Sequence, residues 1–133
     1  MQKDQEQRAR FRKQLQQQSK NDQKMLDGFL LLHSCKVKLP HEAVHSKLQG
    51  MNITQVRDDD LGYFKNLLSI DLADNQVQLD WLANLQNIQE VDLQYNNLER
   101  ISVEPQTFQH LKYLHLSYNR IDPRSLLNLA HLS

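Results

Sequence analysis

The 133-residue sequence contains few of the residues that indicate a catalytic, disulfide-stabilised or membrane-spanning protein. Its single cysteine, Cys35, excludes an intramolecular disulfide framework and is typical of a reducing compartment. It has three glycines, and no glycine-rich phosphate loop, GxSxG motif or HExxH motif occurs. The longest wholly apolar run, residues 29–32, is far shorter than the roughly 20 residues that span a bilayer. We therefore expect no membrane segment.

An excess of charge of one sign is also missing, because 16 Lys and Arg residues balance 16 Asp and Glu residues. Such a chain has no global field that attracts nucleic acid or a membrane surface. We therefore predict protein partners, and no nucleic acid, membrane, small-molecule substrate or cofactor. The first 24 residues lack the apolar central region of a signal peptide. A soluble cytoplasmic protein is the expectation, with the nucleus as the other compartment.

One pattern is repeated three times between residues 67 and 121. In each copy, apolar residues at spacings of three and then two precede an asparagine, and another apolar residue follows it. The asparagines, Asn75, Asn96 and Asn119, recur after 21 and then 23 residues. This period is typical of a leucine-rich repeat. Because a tight turn inside a stacked core leaves backbone groups unpaired, we predict a structural ladder in which the three amides bond to that backbone.

The repeats predict an α/β fold, a leucine-rich repeat solenoid with short parallel strands on the concave face and helices or turns on the convex face. One short strand cannot bury its apolar side alone, whereas stacked copies share a continuous core. Between two strands, Leu79, Leu82 and Leu85 recur at the spacing of a helical turn. Asp122 followed by Pro123 predicts the start of another helix.

The chain divides into three parts. Residues 1–24 form an extended polar N-terminal tail or linker with eight glutamines and seven Lys or Arg residues, which a partner could order as a helix. Residues 25–42 are interpreted as an N-terminal cap, and residues 43–133 as the repeats. When the repeat register is carried forward, a further strand should begin at Leu132, so we expect the repeats to be C-terminally incomplete.

Local patterns leave the structure of the cap open. Residues 25–30 suit a helix face, whereas the alternation over residues 35–39 suits a strand. Residues 43–56 make a degenerate first repeat in which Leu48 takes a strand leucine position. Met51 then occupies the asparagine position, 24 residues before the first asparagine.

The register also predicts which side chains face outward on the concave sheet. We interpret them as a mixed aromatic and acidic strip that binds a basic segment of a partner protein, because tyrosine is enriched at interfaces. The alternative for the tyrosines beside asparagines is packing along their neighbours in the stack. The predicted partner-binding residues are Asp71, Asp74, Glu90, Asp92, Gln94, Tyr95, Tyr113, His115 and Tyr118.

Two further groups of residues have a functional and a structural interpretation. The tail residues Arg8, Arg10, Phe11 and Arg12 could contact a neighbouring protein or RNA, or belong to a solvated linker. His33, Cys35, His41 and His45 loosely resemble a zinc-site spacing, but there is one thiolate and no CxxC knuckle. We favour ordinary surface and cap histidines, and predict no metal site.

A narrower resemblance rests on several short segments, which are MNITQV at 51–56, Asp60 with Leu61, Phe64 and NLLSID at 66–71. The repeats resemble the 22-residue class of intracellular leucine-rich repeats, and these segments are similar to the X-ray radiation resistance-associated protein family. The similarity extends over about residues 25–133. It implies a non-enzymatic intracellular protein, longer than this chain. By analogy with the wider class, it implies a cytoskeletal place in the ciliary axoneme.

Three functional classes follow. The first is a non-catalytic protein-protein interaction scaffold, a structural component of a large assembly such as the microtubule-based axoneme of a cilium. The second is a regulatory or targeting subunit of an enzyme or an RNA-protein particle. The third, which we do not favour, is an enzyme or metal protein built on Cys35 and the histidines.

Overall fold

The computed structural model describes residues 5–8, residue 10 and residues 24–132, and residues 5–8 and 10 are helical. The rest of the described chain alternates short strands with short helices. The strands are β1 (Lys24–Leu26), β2 (His45–Lys47), β3 (Ile53–Val56), β4 (Ser69–Asp71), β5 (Glu90–Asp92) and β6 (Tyr113–His115). The α-helices are α1 (Gly28–Cys35) and α2 (Asp58–Leu61), and the 3₁₀ helices are Pro40–Glu42, Leu79–Leu82 and Pro123–Leu132.

Four parallel strands form one sheet in the order β2-β4-β5-β6. Their central residues align from repeat to repeat, with Ile70 opposite Val91 and Val91 opposite Leu114. Ile70 and Val91 are buried and Leu114 is half-buried, so one side of the sheet forms the shared core. The predicted short parallel strands of a leucine-rich repeat are therefore confirmed. Among the helices of residues 5–8, 10 and 24–132, none is long and apolar enough to cross a membrane.

The degenerate first repeat joins the same sheet in the predicted register. Strand β2 pairs with β4, and Leu48 is buried at the position that the repeat assigns to a strand leucine. The central residue of β2 is the buried polar Ser46, where the other strands have an apolar residue. Its hydroxyl lies 2.6 Å from the Ser34 hydroxyl of α1. Because a buried hydroxyl needs a partner, this contact lets a polar residue occupy the core row.

The segment before this repeat differs from both local patterns. Strand β1 pairs in parallel with β3 in a separate two-stranded sheet, which the sequence did not predict. Of the two alternatives left open, a helix is present from Gly28, but it buries Leu31 while Phe29 is 82% exposed, so residues 25–30 do not form one helix face. The strand alternative over residues 35–39 is wrong, since Cys35 ends α1 and no strand follows before β2.

Two carboxylates set the start of α1. Asp27 is its N-cap, and its Oδ1 accepts a hydrogen bond from the Leu30 amide at 2.9 Å. Asp60 of α2 accepts a bond from the Gly28 amide at 2.9 Å, although the two residues are 32 positions apart. The first contact is local, but the second depends on how α1 and α2 pack. The helix boundary therefore follows partly from tertiary structure.

The predicted helical elements between strands are present. Leu79 and Leu82 are buried in a 3₁₀ helix, and Leu85 is buried just after it. The last 3₁₀ helix begins at Pro123 after β6, as expected, and the Arg124 amide donates to Asp122 Oδ1 at 2.9 Å. That helix runs through Leu132, the last described residue, and the further strand stays a prediction.

The shared core predicts a large energetic difference between two leucines. Leu93 is fully buried beside β5, whereas Leu127 is 77% exposed. Leu93→Ala should lower the free energy of unfolding by about 2–5 kcal/mol, because it removes buried surface and leaves a cavity. Leu127→Ala should change it by less than about 0.5 kcal/mol. Urea unfolding followed by circular dichroism measures both, and equal effects would contradict this core.

Candidate partner-binding face

The asparagine side chains connect each turn to the repeat before it. Asn96 Oδ1 accepts a hydrogen bond from the Val77 amide at 2.8 Å, and its Nδ2 donates to Leu72 O at 2.9 Å and to Gln94 O at 3.0 Å. Every one of these partners is a backbone group. Because the amide joins two consecutive turns, it holds the ends of β4 and β5 in register.

The other two asparagines make equivalent bonds. Asn75 Oδ1 accepts from the Ile53 amide at 2.9 Å, and Asn119 Oδ1 accepts from the Leu98 amide at 3.0 Å. Asn75 Oδ1 also accepts from the Met51 amide at 3.1 Å. Met51 stands at the asparagine position of the first repeat of the sheet, so no earlier repeat needs an amide from it. This explains why a thioether is tolerated there.

The side of the sheet opposite the core carries two rows of side chains, which we call the open face. Strand pairing aligns the rows across all four strands, and the residues between them are the core row. The first row is His45, Ser69, Glu90 and Tyr113, and the second row is Lys47, Asp71, Asp92 and His115. Five predicted site residues, Asp71, Glu90, Asp92, Tyr113 and His115, lie in these rows.

Two aspartates of the second row are neighbours and also shape the turns that follow. Asp71 Oδ1 accepts a hydrogen bond from the Ala73 amide, and Asp92 Oδ1 accepts one from the Gln94 amide, both at 3.0 Å. Asp71 and Asp92 pair directly across the strands, an arrangement of like charges that destabilises a sheet. A cation from another molecule would relieve this repulsion.

A third row, which we call the turn row, lies just beyond the strands. Its members immediately precede the asparagine position of each repeat and share a left-handed backbone. They are Gly50 (φ 66°), Asp74 (φ 59°), Tyr95 (φ 57°) and Tyr118 (φ 61°). Because the backbone conformation is repeated, their side chains leave successive turns in similar directions. Asp74, Tyr95 and Tyr118 are predicted site residues, and Gln94 lies beside this row.

Tyr95 and Tyr118 stack on one another. Their ring centroids are 4.4 Å apart and their planes differ by 3°. Desolvation, followed by the charge of Tyr118 and a hydrogen bond to it, raises the pKa of Tyr95 above its ordinary value. Both rings stay accessible, with Tyr95 53% and Tyr118 70% exposed. The two interpretations of these tyrosines are compatible, because each ring packs on its neighbour and still faces solvent.

A hydrogen bond joins the first row to the second, and it becomes an ion pair when His115 is protonated. His115 Nε2 lies 3.0 Å from Glu90 Oε1, and both side chains are nearly half exposed. Such a surface pair contributes about 0–1 kcal/mol to stability. In the first row, His45 Nδ1 lies 2.6 Å from Ser69 Oγ. Both pairs therefore orient side chains on the open face more than they stabilise the fold.

Comparison with known proteins agrees with this geometry. A model of the leucine-rich repeat family matches residues 109–130. The chain is similar to X-ray radiation resistance-associated protein 1 of Mus musculus, with 23% identity over 108 residues. The chain is a leucine-rich repeat protein related to that family. The match covers 81% of this chain and 14% of the mouse protein, and no solved structure matches.

In this leucine-rich repeat protein, the remaining predicted contact residues are those of the N-terminal tail. Arg8 and Arg10 are exposed, whereas Phe11 and Arg12 lie outside the described residues. Cys35 Sγ donates to His45 O at 3.2 Å, which links α1 to the first strand. Within the described part of the chain, no three His, Cys, Asp or Glu side chains gather to hold a metal ion.

Sequence reasoning missed the part of the face that the first repeat supplies. His45, Lys47 and Gly50 extend the three rows by one repeat. The sequence contained the information needed to find them, because the register that puts Leu48 at a leucine position also puts Lys47 beside Asp71. Because Met51 replaces the asparagine, this copy matches the repeat pattern less well than the other three.

The asparagine ladder predicts a specific loss of stability. In Asn96→Ala, the buried Val77 amide loses its partner, while Leu72 O and Gln94 O keep other backbone or amide donors. We expect the free energy of unfolding to fall by about 2–4 kcal/mol, since an unpaired buried amide costs about 1–3 kcal/mol and further bonds are lost. Urea unfolding measures this change.

Asn84→Ala is the matched control. Its Nδ2 donates to Asp58 O at 2.8 Å, but the side chain is exposed and water can replace it. The control should lose about 1 kcal/mol or less. If both variants lost the same stability, the amide ladder would not have the structural role described above.

Proposed function

We propose that the chain is a non-catalytic protein-interaction module that binds a partner through the open face and the turn row. The observation that carries this proposal is the exposure of three tyrosines, one in the open face and two in the turn row. Tyr113 is exposed to 61%, beside the exposed stack of Tyr95 and Tyr118. Aromatic side chains with polar tips are enriched at protein interfaces, and they contribute most when a partner buries them.

The charges of the face favour a basic partner. Asp71 and Asp92 lie side by side, and Glu90 and Asp74 flank them in the neighbouring rows. Lys47 and His115 occupy only the two ends of the second row. Electrostatic complementarity directs association and suppresses partners of the wrong charge. The partner segment should therefore carry Lys or Arg side chains.

The proposed cellular role of the module rests on its resemblance to other leucine-rich repeat proteins. Leucine-rich repeat arrays typically act as interaction modules, so we propose a scaffold within a large multi-subunit intracellular assembly. The match spans 14% of the mouse relative, so the proposal concerns the repeat segment alone. The wider class also suggests the ciliary axoneme and microtubule-associated partners. Imaging the tagged protein in ciliated cells tests this placement, and exclusion from the axoneme would contradict it.

Affinity capture with two double variants tests the interaction surface. Glu90→Lys with Tyr113→Ala changes the open face, where both side chains lie in one row. Captured partners should bind at least about tenfold more weakly, since interface tyrosines and paired charges contribute about 1–2 kcal/mol or more. Partners are identified by mass spectrometry and their affinities are measured with purified components.

The control double variant makes the same types of substitution outside the open face and the turn row. Tyr63→Ala with Asp80→Lys replaces one exposed tyrosine and one exposed carboxylate that are in none of the three rows. It should retain the partners. Unchanged binding by a folded Glu90→Lys, Tyr113→Ala protein would contradict the proposed face.

A further inference from the structure

An open groove lies where the turn row meets the second row of the open face. Its volume is about 610 Å³, within the roughly 300–1,000 Å³ of ligand pockets. Two carboxylates border it, and no basic side chain of the described residues does. The lining residues are Gln49, Gly50, Ala73, Asp74, Asp92, Gln94 and Tyr95. The groove is therefore a local concentration of negative charge next to an aromatic ring.

The order of the turn row explains the shape of this groove. Tyr118 covers one side of the Tyr95 ring, and Tyr95 lines the groove whereas Tyr118 does not. On the other side of Tyr95 comes Asp74, and beyond it Gly50, which has no side chain. A Cβ placed on Gly50 would meet Asp74 Oδ2 at 3.6 Å and no atom nearer. The row therefore ends in open space beside a carboxylate and a ring.

The two carboxylates of the groove are not equivalent. Both oxygens of Asp92 are bound by Gln94 Nε2, at 3.2 and 3.1 Å, and Oδ1 also accepts from the Gln94 amide. Asp74 is exposed, and its carboxylate has no hydrogen bond or ion pair to any residue in the described ranges. Its backbone is nevertheless held, because the Asp74 amide donates to Gln94 O at 2.9 Å. Asp74 thus presents a negative charge on a held backbone, with no side-chain partner among the described residues.

The identity of the turn-row residues also argues for a contact. A left-handed backbone costs a residue with a Cβ about 1–2 kcal/mol, and glycine or asparagine accepts it more readily. Tyr95 and Tyr118 adopt it while more than half of each side chain remains exposed. Burial of the two rings within the chain therefore offsets little of this conformational cost. Contact with another molecule would give these rings the burial that the fold does not.

We propose that this groove binds an arginine side chain of the partner protein, with its guanidinium flat against the free side of the Tyr95 ring and paired with the Asp74 carboxylate. This inference rests on the proposed function of the open face. Guanidinium is planar, stacks on aromatic rings and donates paired hydrogen bonds to a carboxylate. A lysine ammonium would satisfy Asp74 but would leave the ring without a flat partner. Gly50 leaves space for the arginine stem.

Three peptides test this inference on the full 133-residue chain. They are acetyl-Gly-Gly-Xaa-Gly-Gly-amide with arginine, lysine or citrulline at the central position. In NMR titrations, the arginine peptide should shift the amide resonances of Asp74, Gln94 and Tyr95 most strongly. It should bind at least about fivefold more tightly than the lysine peptide, which lacks the stacking contribution. Citrulline keeps the shape of arginine without its charge and should bind at least about tenfold more weakly.

Variants that keep the left-handed backbone identify the two contacts. Asp74→Asn and Tyr95→Asn should each weaken arginine binding about tenfold, because asparagine tolerates this conformation and removes only the charge or the ring. Tyr95→Phe retains the ring and should retain most of the binding. Asp80→Asn, which removes an exposed carboxylate outside the groove, is the matched control and should have no effect. Circular dichroism establishes that each variant is folded.

The outcomes separate this inference from the proposed function. Equal binding of the arginine and lysine peptides, or loss of binding in Asp80→Asn, would overturn the arginine site. So would the absence of any shift at Asp74, Gln94 and Tyr95 at millimolar peptide. If captured partners were then still lost by the Glu90→Lys, Tyr113→Ala protein, the interaction face would stand without the arginine site. If neither experiment showed binding, both proposals would fail.

Discussion

The asparagine amide that bonds to the backbone of the preceding turn is the interaction on which the rest of this structure depends. The strands of the main sheet are only three residues long, so strand pairing alone satisfies few backbone groups. The chain then turns while still next to the core, where unpaired amides are costly. Asn75, Asn96 and Asn119 supply the missing acceptors and donors from inside the stack.

The same interaction shapes the outer surface. Each asparagine fixes the position of its turn relative to the preceding turn. The residue before each asparagine adopts a left-handed backbone. Successive repeats thus place Asp74, Tyr95 and Tyr118 in a line, and two of these residues stack as parallel rings. A buried hydrogen bond therefore determines where the exposed aromatic and acidic groups lie. In this way the core of the protein sets the geometry of its candidate binding face.

Much of this could be predicted from the sequence because the repeat is a local pattern with a known period. The strand positions, the inward leucines and the outward Asp92 and Tyr113 all follow from residue spacing. The pairing of β1 with β3 and the start of α1 could not be predicted, because both depend on contacts between distant segments such as Asp60 and Gly28. The ring stack also depends on the distance between turns, which the sequence alone does not specify.

Amide hydrogen exchange of the Ile53, Val77 and Leu98 amides, followed by NMR, tests the central claim most directly. These amides donate to the three ladder asparagines and belong to no pair of the main sheet. The ladder predicts that they exchange only through large-scale unfolding, as slowly as the amides within β4 and β5. Exchange of these three amides at the rate of an exposed loop, with the strands still protected, would contradict the account.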